Sequence, residues 1–225
     1  AQFTHIKVPE GPPDSRFVYL SDVLPTAWQA VDYADIGDGG SVTVLGLGPI
    51  GDMAARIADH LGYRVIAVDL VPERLARAAE RGIHTIDLGR LDAPLGDAIR
   101  DLTDGRGTDS VIDAVGMEAH GHGLLAKSDR IKQTLRLEMD RPTVVRHAIQ
   151  SAAKGGRVSL IGVYAGMIDK FPLGAFFGKA LKMSAGQCDV QRFLPDLLQR
   201  VLNGDFDTTS LISHRVGLDD APHMY

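Results

Sequence analysis

The chain has 225 residues, 44% apolar and 24% charged, with a net charge of −5; at roughly 100–200 residues per domain this is one large domain, or one domain with trimmings. The acidic balance excludes the basic footprint of a nucleic-acid binder, and no basic cluster suggests a membrane surface. Apolar runs such as Ser159–Val163 fall far short of the roughly 20 residues that a membrane span needs.

Residues 1–20 read as irregular, because Pro9-Glu10-Gly11-Pro12-Pro13 is a cluster of breakers rather than the start of a packed element. The opening residues show no charged stretch followed by an apolar one, so no signal peptide is expected. A helix is expected over Leu24–Val31, with Asp22 placed as its N-cap. From Ser41 the pattern becomes regular. Ser41–Leu45 is β-branched and bounded by glycines, the signature of a buried strand. Ile50, Met53, Ala54, Ile57, Ala58 and Leu61 recur at helical spacing, which predicts an amphipathic helix over Ile50–Leu61. A strand over Arg64–Val68 follows, then a helix over Pro72–Arg81 with Pro in its first turn and Gly82 just past its end. Ile83–Asp87 reads as a third strand and Leu95–Leu102 as a third helix of the regular run.

Past Gly105-Arg106-Gly107 the alternation resumes, with strands over Ser110–Asp113, Arg157–Ile161 and Lys182–Ala185 and helices over Val144–Ala153 and Phe193–Leu202. Six short strands alternating with helices of about ten residues predict an α/β fold, a Rossmann-type parallel sheet doubly wound with helices on both faces. One segment breaks the rhythm: Met117–Pro142 is mostly polar and too long for an ordinary connection, which marks it as functional or disordered. Leu218–Pro222 looks like a helix start capped by Asp, with the sequence ending soon after at Tyr225.

Gly46-Leu47-Gly48-Pro49-Ile50-Gly51 is a G-x-G-x-x-G run between a predicted strand and a predicted helix, the context a dinucleotide fingerprint requires. Gly46 makes the tight turn, Gly48 lets backbone approach a pyrophosphate, and Gly51 lets the helix pack on the strand. The helix start, including Pro49 and Ile50, supplies the positive end of the dipole and free N–H groups. Asp69 closes the next strand, where a carboxylate accepts hydrogen bonds from ribose hydroxyls and repels a 2′-phosphate, favouring NAD over NADP. Arg74 is placed to reach the same ribose; its alternative is a solvated arginine on the helix face. Two rivals stand beside this reading: a plain strand–helix turn with a capping Asp, and S-adenosylmethionine binding, which also uses a glycine-rich first turn and an acid after the second strand. The single cysteine, Cys188, excludes an internal disulfide or a multi-thiolate zinc cage and reads as a small packed thiol. An intracellular, cytoplasmic protein is expected.

Leu20–Trp28, the Gly46–Gly51 run, Asp113-Ala114-Val115-Gly116, Gly155–Val158 and Asp219–Pro222 together resemble the zinc-dependent medium-chain alcohol dehydrogenases, in the branch similar to glutathione-independent formaldehyde dehydrogenase. The resemblance runs from about Val8 to Tyr225 and is expected to cover the C-terminal two-thirds of such an enzyme. It implies that residues 1–20 are left from a catalytic domain and that 21–210 form an NAD-binding Rossmann domain with an insertion at 117–142. Residues 211–225 would begin a return to the catalytic domain.

The resemblance further implies that Asp22 occupies a catalytic zinc-ligand position and that Thr26 contacts the nicotinamide end. By the same likeness Val115 lies beside the adenosine half, Gly162-Val163-Tyr164 and Gln187 lie at the carboxamide, and Gly121-His122 belongs to a loop over the cofactor. His120 stands where that branch commonly has arginine. One carboxylate cannot hold a catalytic zinc, so the metal is expected in a complete enzyme rather than in this chain alone. The function implied is hydride transfer between an alcohol or aldehyde substrate and NAD, in a homo-oligomer contacting through Val163–Lys179; the alternative is a non-catalytic NAD-binding module. His60, His84, His147 and His214 read as structural or solvated, and Trp28 and Phe176-Phe177 as packing residues.

Overall fold

A computed structural model describes residues 5–115, 144–164 and 171–224. The expected Met117–Pro142 insertion, with His122, lies outside the described residues. Six strands, β1 (Ser41–Leu45), β2 (Arg64–Asp69), β3 (His84–Asp87), β4 (Thr108–Asp113), β5 (Ala152–Leu160) and β6 (Lys182–Ala185), form one sheet in the order β3-β2-β1-β4-β5-β6. Every neighbouring pair is parallel. Each position of β1 is buried, as a central strand covered on both faces requires.

Helices α1 (Val23–Ala34), α2 (Pro49–His60), α3 (Pro72–Ala79), α4 (Leu95–Asp101), α5 (residues 144–151), α6 (Leu173–Gly178) and α7 (Val190–Asn203) connect and cover the strands. Alternate strand residues feed two separate cores. Val65, Ala67 and Ile112 pack with Leu24, Ala27, Met53, Ile57 and Leu197 from α1, α2 and α7. Ile66, Val68 and Val111 pack on the other face with Ile99 and Ile149 from α4 and α5. The period-2 alternation of strands thus produces the two-faced winding.

Several expected boundaries move, for tertiary reasons. β5 begins at Ala152, five residues before the expected Arg157, and its pairing with β4 slips between Thr108 and Ser110. The Gly155-Gly156 pair, which falls between the expected helix and the expected strand, sits in that bulge. α7 begins at Val190 rather than Phe193 and takes Pro195 into its interior, because the preceding residue is pinned: Asp189 N–H donates to the Gln29 side chain at 3.0 Å. The segment before α1 is more than irregular. It forms two short 3-10 turns, Asp14–Arg16 and Val18–Ser21, and buries Phe17 and Leu20 in the core. Arg16 donates to the Val201 carbonyl at the end of α7, at 2.6 Å.

At the other end Asp219 and Asp220 lie in a 3-10 turn over Leu218–Asp220, and Asp220 directly precedes the short helix Ala221–Met224. Trp28 packs as expected, edge-on to Phe206 and under the Arg200 guanidinium. Phe176 packs against Phe171, but Phe177 is 84% exposed and is not a packing residue.

One lysine serves the C-terminal end of α5. The Lys179 ammonium donates to the carbonyls of Ile149, Gln150 and Ala152, at 2.8–2.9 Å, where α5 gives way to β5. These are the carbonyls a helix leaves unpaired at its C-terminus, and the cation also complements the dipole. Lys179→Met keeps the apolar stem and leaves them without this donor. It should cost about 1–2 kcal/mol, the scale of a half-exposed charged hydrogen bond, read as a lower denaturant midpoint with unchanged slope.

Candidate functional site

The sheet order reverses direction between β1 and β4, so the crevice where open α/β sheets bind ligands lies beyond Leu45 and Asp113. These two residues are directly paired, and Leu45 also pairs with Val68, so the ends of three strands stand level. The chain leaves β1 through Gly46, which has φ +86° and donates to the Val68 carbonyl at 2.8 Å. A side chain there would meet Val115 Cγ2 at 3.1 Å and the Ala114 backbone at 3.3 Å. Gly51 faces back onto this turn, with a Cβ position only 1.8 Å from the Gly46 carbonyl oxygen. A Cβ on Gly48, by contrast, would meet nothing within 4 Å, so that backbone borders open space. Pro49 occupies the first turn of α2, and the amides of Ile50 and Gly51 precede any helical acceptor. The three glycines thus differ in setting: Gly46 makes a tight turn, Gly51 a close helix contact, and Gly48 borders open space.

Asp69 sits at the end of β2, buried, and its carboxylate ties the crevice together. Oδ2 accepts from the Leu47 amide at 2.5 Å; Oδ1 accepts from the Leu70 and Val71 amides at 2.7 and 2.9 Å. The Arg74 guanidinium lies 3.6 Å from Oδ2, so Arg74 is paired rather than simply solvated. The acid expected at the ribose end and the glycine turn expected at the pyrophosphate are therefore in direct contact.

On the other side, Asp22 stands at the N-cap position of α1 but its side chain makes no capping bond. The carboxylate instead accepts from the Thr26 hydroxyl at 2.9 Å. Cys188, just after β6, lies near enough to Thr26 and Asp22 at the start of α1 for both to act on its thiol. Burial pushes the Cys188 thiol up, and the Asp22 and Asp189 carboxylates push it the same way against the Thr26 contact. Cys188 is therefore a protonated thiol at neutral pH, not an activated nucleophile. A catalytic zinc takes three protein ligands, and among the described residues no three His, Cys, Asp or Glu side chains are grouped to hold a metal ion. The described residues alone do not fit a zinc site.

Two residues with organising roles escaped the sequence reading. Gln29 is 1% exposed; its amide nitrogen donates to the Gly186 and Gln187 carbonyls at 3.4 and 3.1 Å, while its oxygen accepts from Asp189. It thereby fixes the exposed Gln187 stretch against α1. The one available signal was a long polar side chain within the apolar stripe Leu24-Ala27-Ala30-Val31. Asp113 is fully buried and links the loops after β4 and β5: its carboxylate accepts from the Val115 amide at 3.0 Å and from the Tyr164 hydroxyl, and its carbonyl accepts from the Ile161 and Gly162 amides at 3.0 Å. Burial pushes the Asp113 carboxyl up, and burial together with Asp113 pushes the Tyr164 phenol up.

Residues 49–123 match the family model of the zinc-binding dehydrogenases. The whole chain is 33% identical, over 228 aligned residues, to an uncharacterized zinc-type alcohol dehydrogenase-like protein of Bacillus subtilis, covering 59% of that protein. It is 30% identical to glutathione-independent formaldehyde dehydrogenase of Pseudomonas aeruginosa, over 92% of this chain and 53% of the relative. Among solved structures, the alcohol dehydrogenase TADH of Thermus sp. ATN1 superposes with a TM-score of 0.79 at 30% identity, over 98% of this chain and 56% of that one. The chain spans about half the length of the curated relatives it matches. With the crevice geometry and these likenesses in hand, the chain matches the cofactor-binding half of the zinc-type alcohol and formaldehyde dehydrogenases.

Proposed function

We propose that this chain supplies the NAD site of an oxidoreductase that moves hydride between an alcohol or aldehyde and NAD. The observation that carries it is the crevice at the sheet's switch point: a positive-φ Gly46, open backbone at Gly48, the start of α2, and a buried Asp69 bound to the Leu47 amide. Bound there, NAD supplies a nicotinamide ring that accepts or gives the hydride. Gly46, Gly48, Pro49, Ile50 and Gly51 would hold the pyrophosphate, Asp69 with Arg74 the adenosine ribose, and Val115 the adenosine wall. Thr26, Gly162, Val163, Tyr164 and Gln187 would border the nicotinamide end. His122 is proposed for the same cofactor on the family likeness alone. Asp22 would contribute one zinc ligand beside Thr26, with the other ligands coming from outside the described residues.

A boundary near residue 21 and another near 210, a cytoplasmic location and a homo-oligomer belong to the same reading. Among the described residues, no helix is long and apolar enough to cross a membrane. Calorimetric titration of the 225-residue chain with NAD and NADP tests the core of it. NAD should bind in the micromolar range and NADP at least tenfold more weakly, and no NADH should form from formaldehyde or ethanol without a separate source of zinc ligands. Tighter NADP binding, or S-adenosylmethionine binding in place of both, would overturn the assignment.

A further inference from the structure

The geometry points to Asp113 and Tyr164 as positioning residues that lock the nicotinamide-side loop to the end of β4, so that the pair decides how well a complete dinucleotide is held relative to its adenylate half. This rests on the reading of the crevice as an NAD site. Asp113 is the last residue of β4, paired with Leu45 on one side and Leu160 on the other. Its main-chain carbonyl takes the Ile161 and Gly162 amides, and its carboxylate takes the Val115 amide and the Tyr164 hydroxyl. One residue therefore anchors both walls of the crevice: Val115, which touches the Gly46 turn, and the 162–164 stretch.

Val163 lies between those anchors and is 53% exposed. An apolar side chain gains by burial, and a free loop would turn it inward. Gly162 is tied through its amide and Tyr164 through its hydroxyl, which leaves Val163 held outward as a fixed apolar face. A flat ring such as nicotinamide can be covered by such a face. The adenylate contacts at Asp69, Leu47 and Gly48 are made by different residues, so loosening the 162–164 stretch reaches one end of the ligand only.

Asp113 carries no ion pair among the described residues, and its side chain is held by neutral donors, the Val115 amide and the Tyr164 hydroxyl. Asparagine offers an acceptor to Val115 and a donor to the Tyr164 oxygen in the same shape. Hydrogen-bonding capacity, rather than charge, is what the position needs.

The test is calorimetry of the 225-residue chain with two probes, NAD and ADP-ribose, which lacks only the nicotinamide. Tyr164→Phe should weaken NAD at least fivefold and leave ADP-ribose within twofold, and Asp113→Asn should keep both probes near the wild-type values. Val163→Ser, at an exposed position the core does not use, should show the same split as Tyr164→Phe and serves if that variant folds poorly. Equal losses for both probes in Tyr164→Phe and Val163→Ser, no loss in these two variants, or a fivefold loss of NAD affinity in Asp113→Asn, overturn the positioning role while leaving NAD binding intact. Failure of the wild-type chain to bind either probe overturns the NAD reading, and this inference with it.

Discussion

Gly51→Ala should be severely destabilised, whereas Gly48→Ala, three residues away in the same motif, should fold normally and lose cofactor affinity. A methyl on Gly51 would sit 1.8 Å from the Gly46 carbonyl oxygen and 3.2 Å from Ala114 Cβ. A carbon needs roughly 3.3 Å from a carbonyl oxygen, so α2 must retreat by about 1.5 Å. That helix carries Met53, Ala54, Ile57 and Ala58, all fully buried, and a rigid retreat opens voids along its whole inner face. Overpacking of this kind costs about 3 kcal/mol or more, and at roughly 2–4 °C per kcal/mol the melting temperature should fall by about 10 °C. Gly48 has ordinary backbone angles, φ −62° and ψ −176°, and open space around its Cβ position. Its variant should melt with the wild type, while the added methyl enters the space proposed for the pyrophosphate and weakens NAD about tenfold, or about 1.4 kcal/mol. Thermal melts and calorimetry on the two proteins separate the effects. A normal melt for Gly51→Ala would contradict the packing described for the motif.

Asp69→Ala should reverse the order of cofactor preference. The carboxylate that would accept the ribose hydroxyls also lies beside Arg74, at 3.6 Å. Its removal deletes charged hydrogen bonds to NAD, a loss of about 1–3 kcal/mol, which is roughly five- to 150-fold in affinity. The same removal frees the Arg74 guanidinium, the group type that accommodates a 2′-phosphate, and removes the repelling charge, so NADP should bind more tightly than to the wild type. The variant also strips an acceptor from the Leu47, Leu70 and Val71 amides, so a lower melting temperature accompanies the change. Adding Arg74→Ala to Asp69→Ala should abolish the gain in NADP affinity. Unchanged NAD affinity in Asp69→Ala would remove Asp69 from the site.

The β1–α2–β2 unit could be read residue by residue because its determinants are local. Val42, Thr43 and Val44 favour a pleated strand, Pro49 suits a first helical turn, and the apolar spacing through Ile57 has the helical period. The predicted β1 and β6 match the observed strands at both ends. Even the link between Asp69 and the glycine turn, 22 residues apart, was accessible, since a strand–helix–strand unit returns the chain to its own beginning. Where the reading erred, a distant partner had intervened. Gly155-Gly156 falls between the expected helix and the expected strand, yet β4 recruits Ala152 into its ladder and makes the pair a bulge. Phe177 follows the pattern of a core residue and lies in solvent, because α6 sits beside the edge of the sheet with β6 half exposed.

From the sequence alone came the parallel α/β winding, the dinucleotide motif and its acid, and the family likeness, since each is written in short-range periodicity or in contiguous motifs. Tertiary structure alone decided how the side of the crevice proposed for the nicotinamide is assembled. The Gln29 contact with Gln187 spans 158 residues and the Asp113 contact with Tyr164 spans 51. No local propensity encodes such pairs: a buried amide or carboxyl takes whichever donors and acceptors the packed strands deliver, because leaving it unpaired away from water costs more than any local preference.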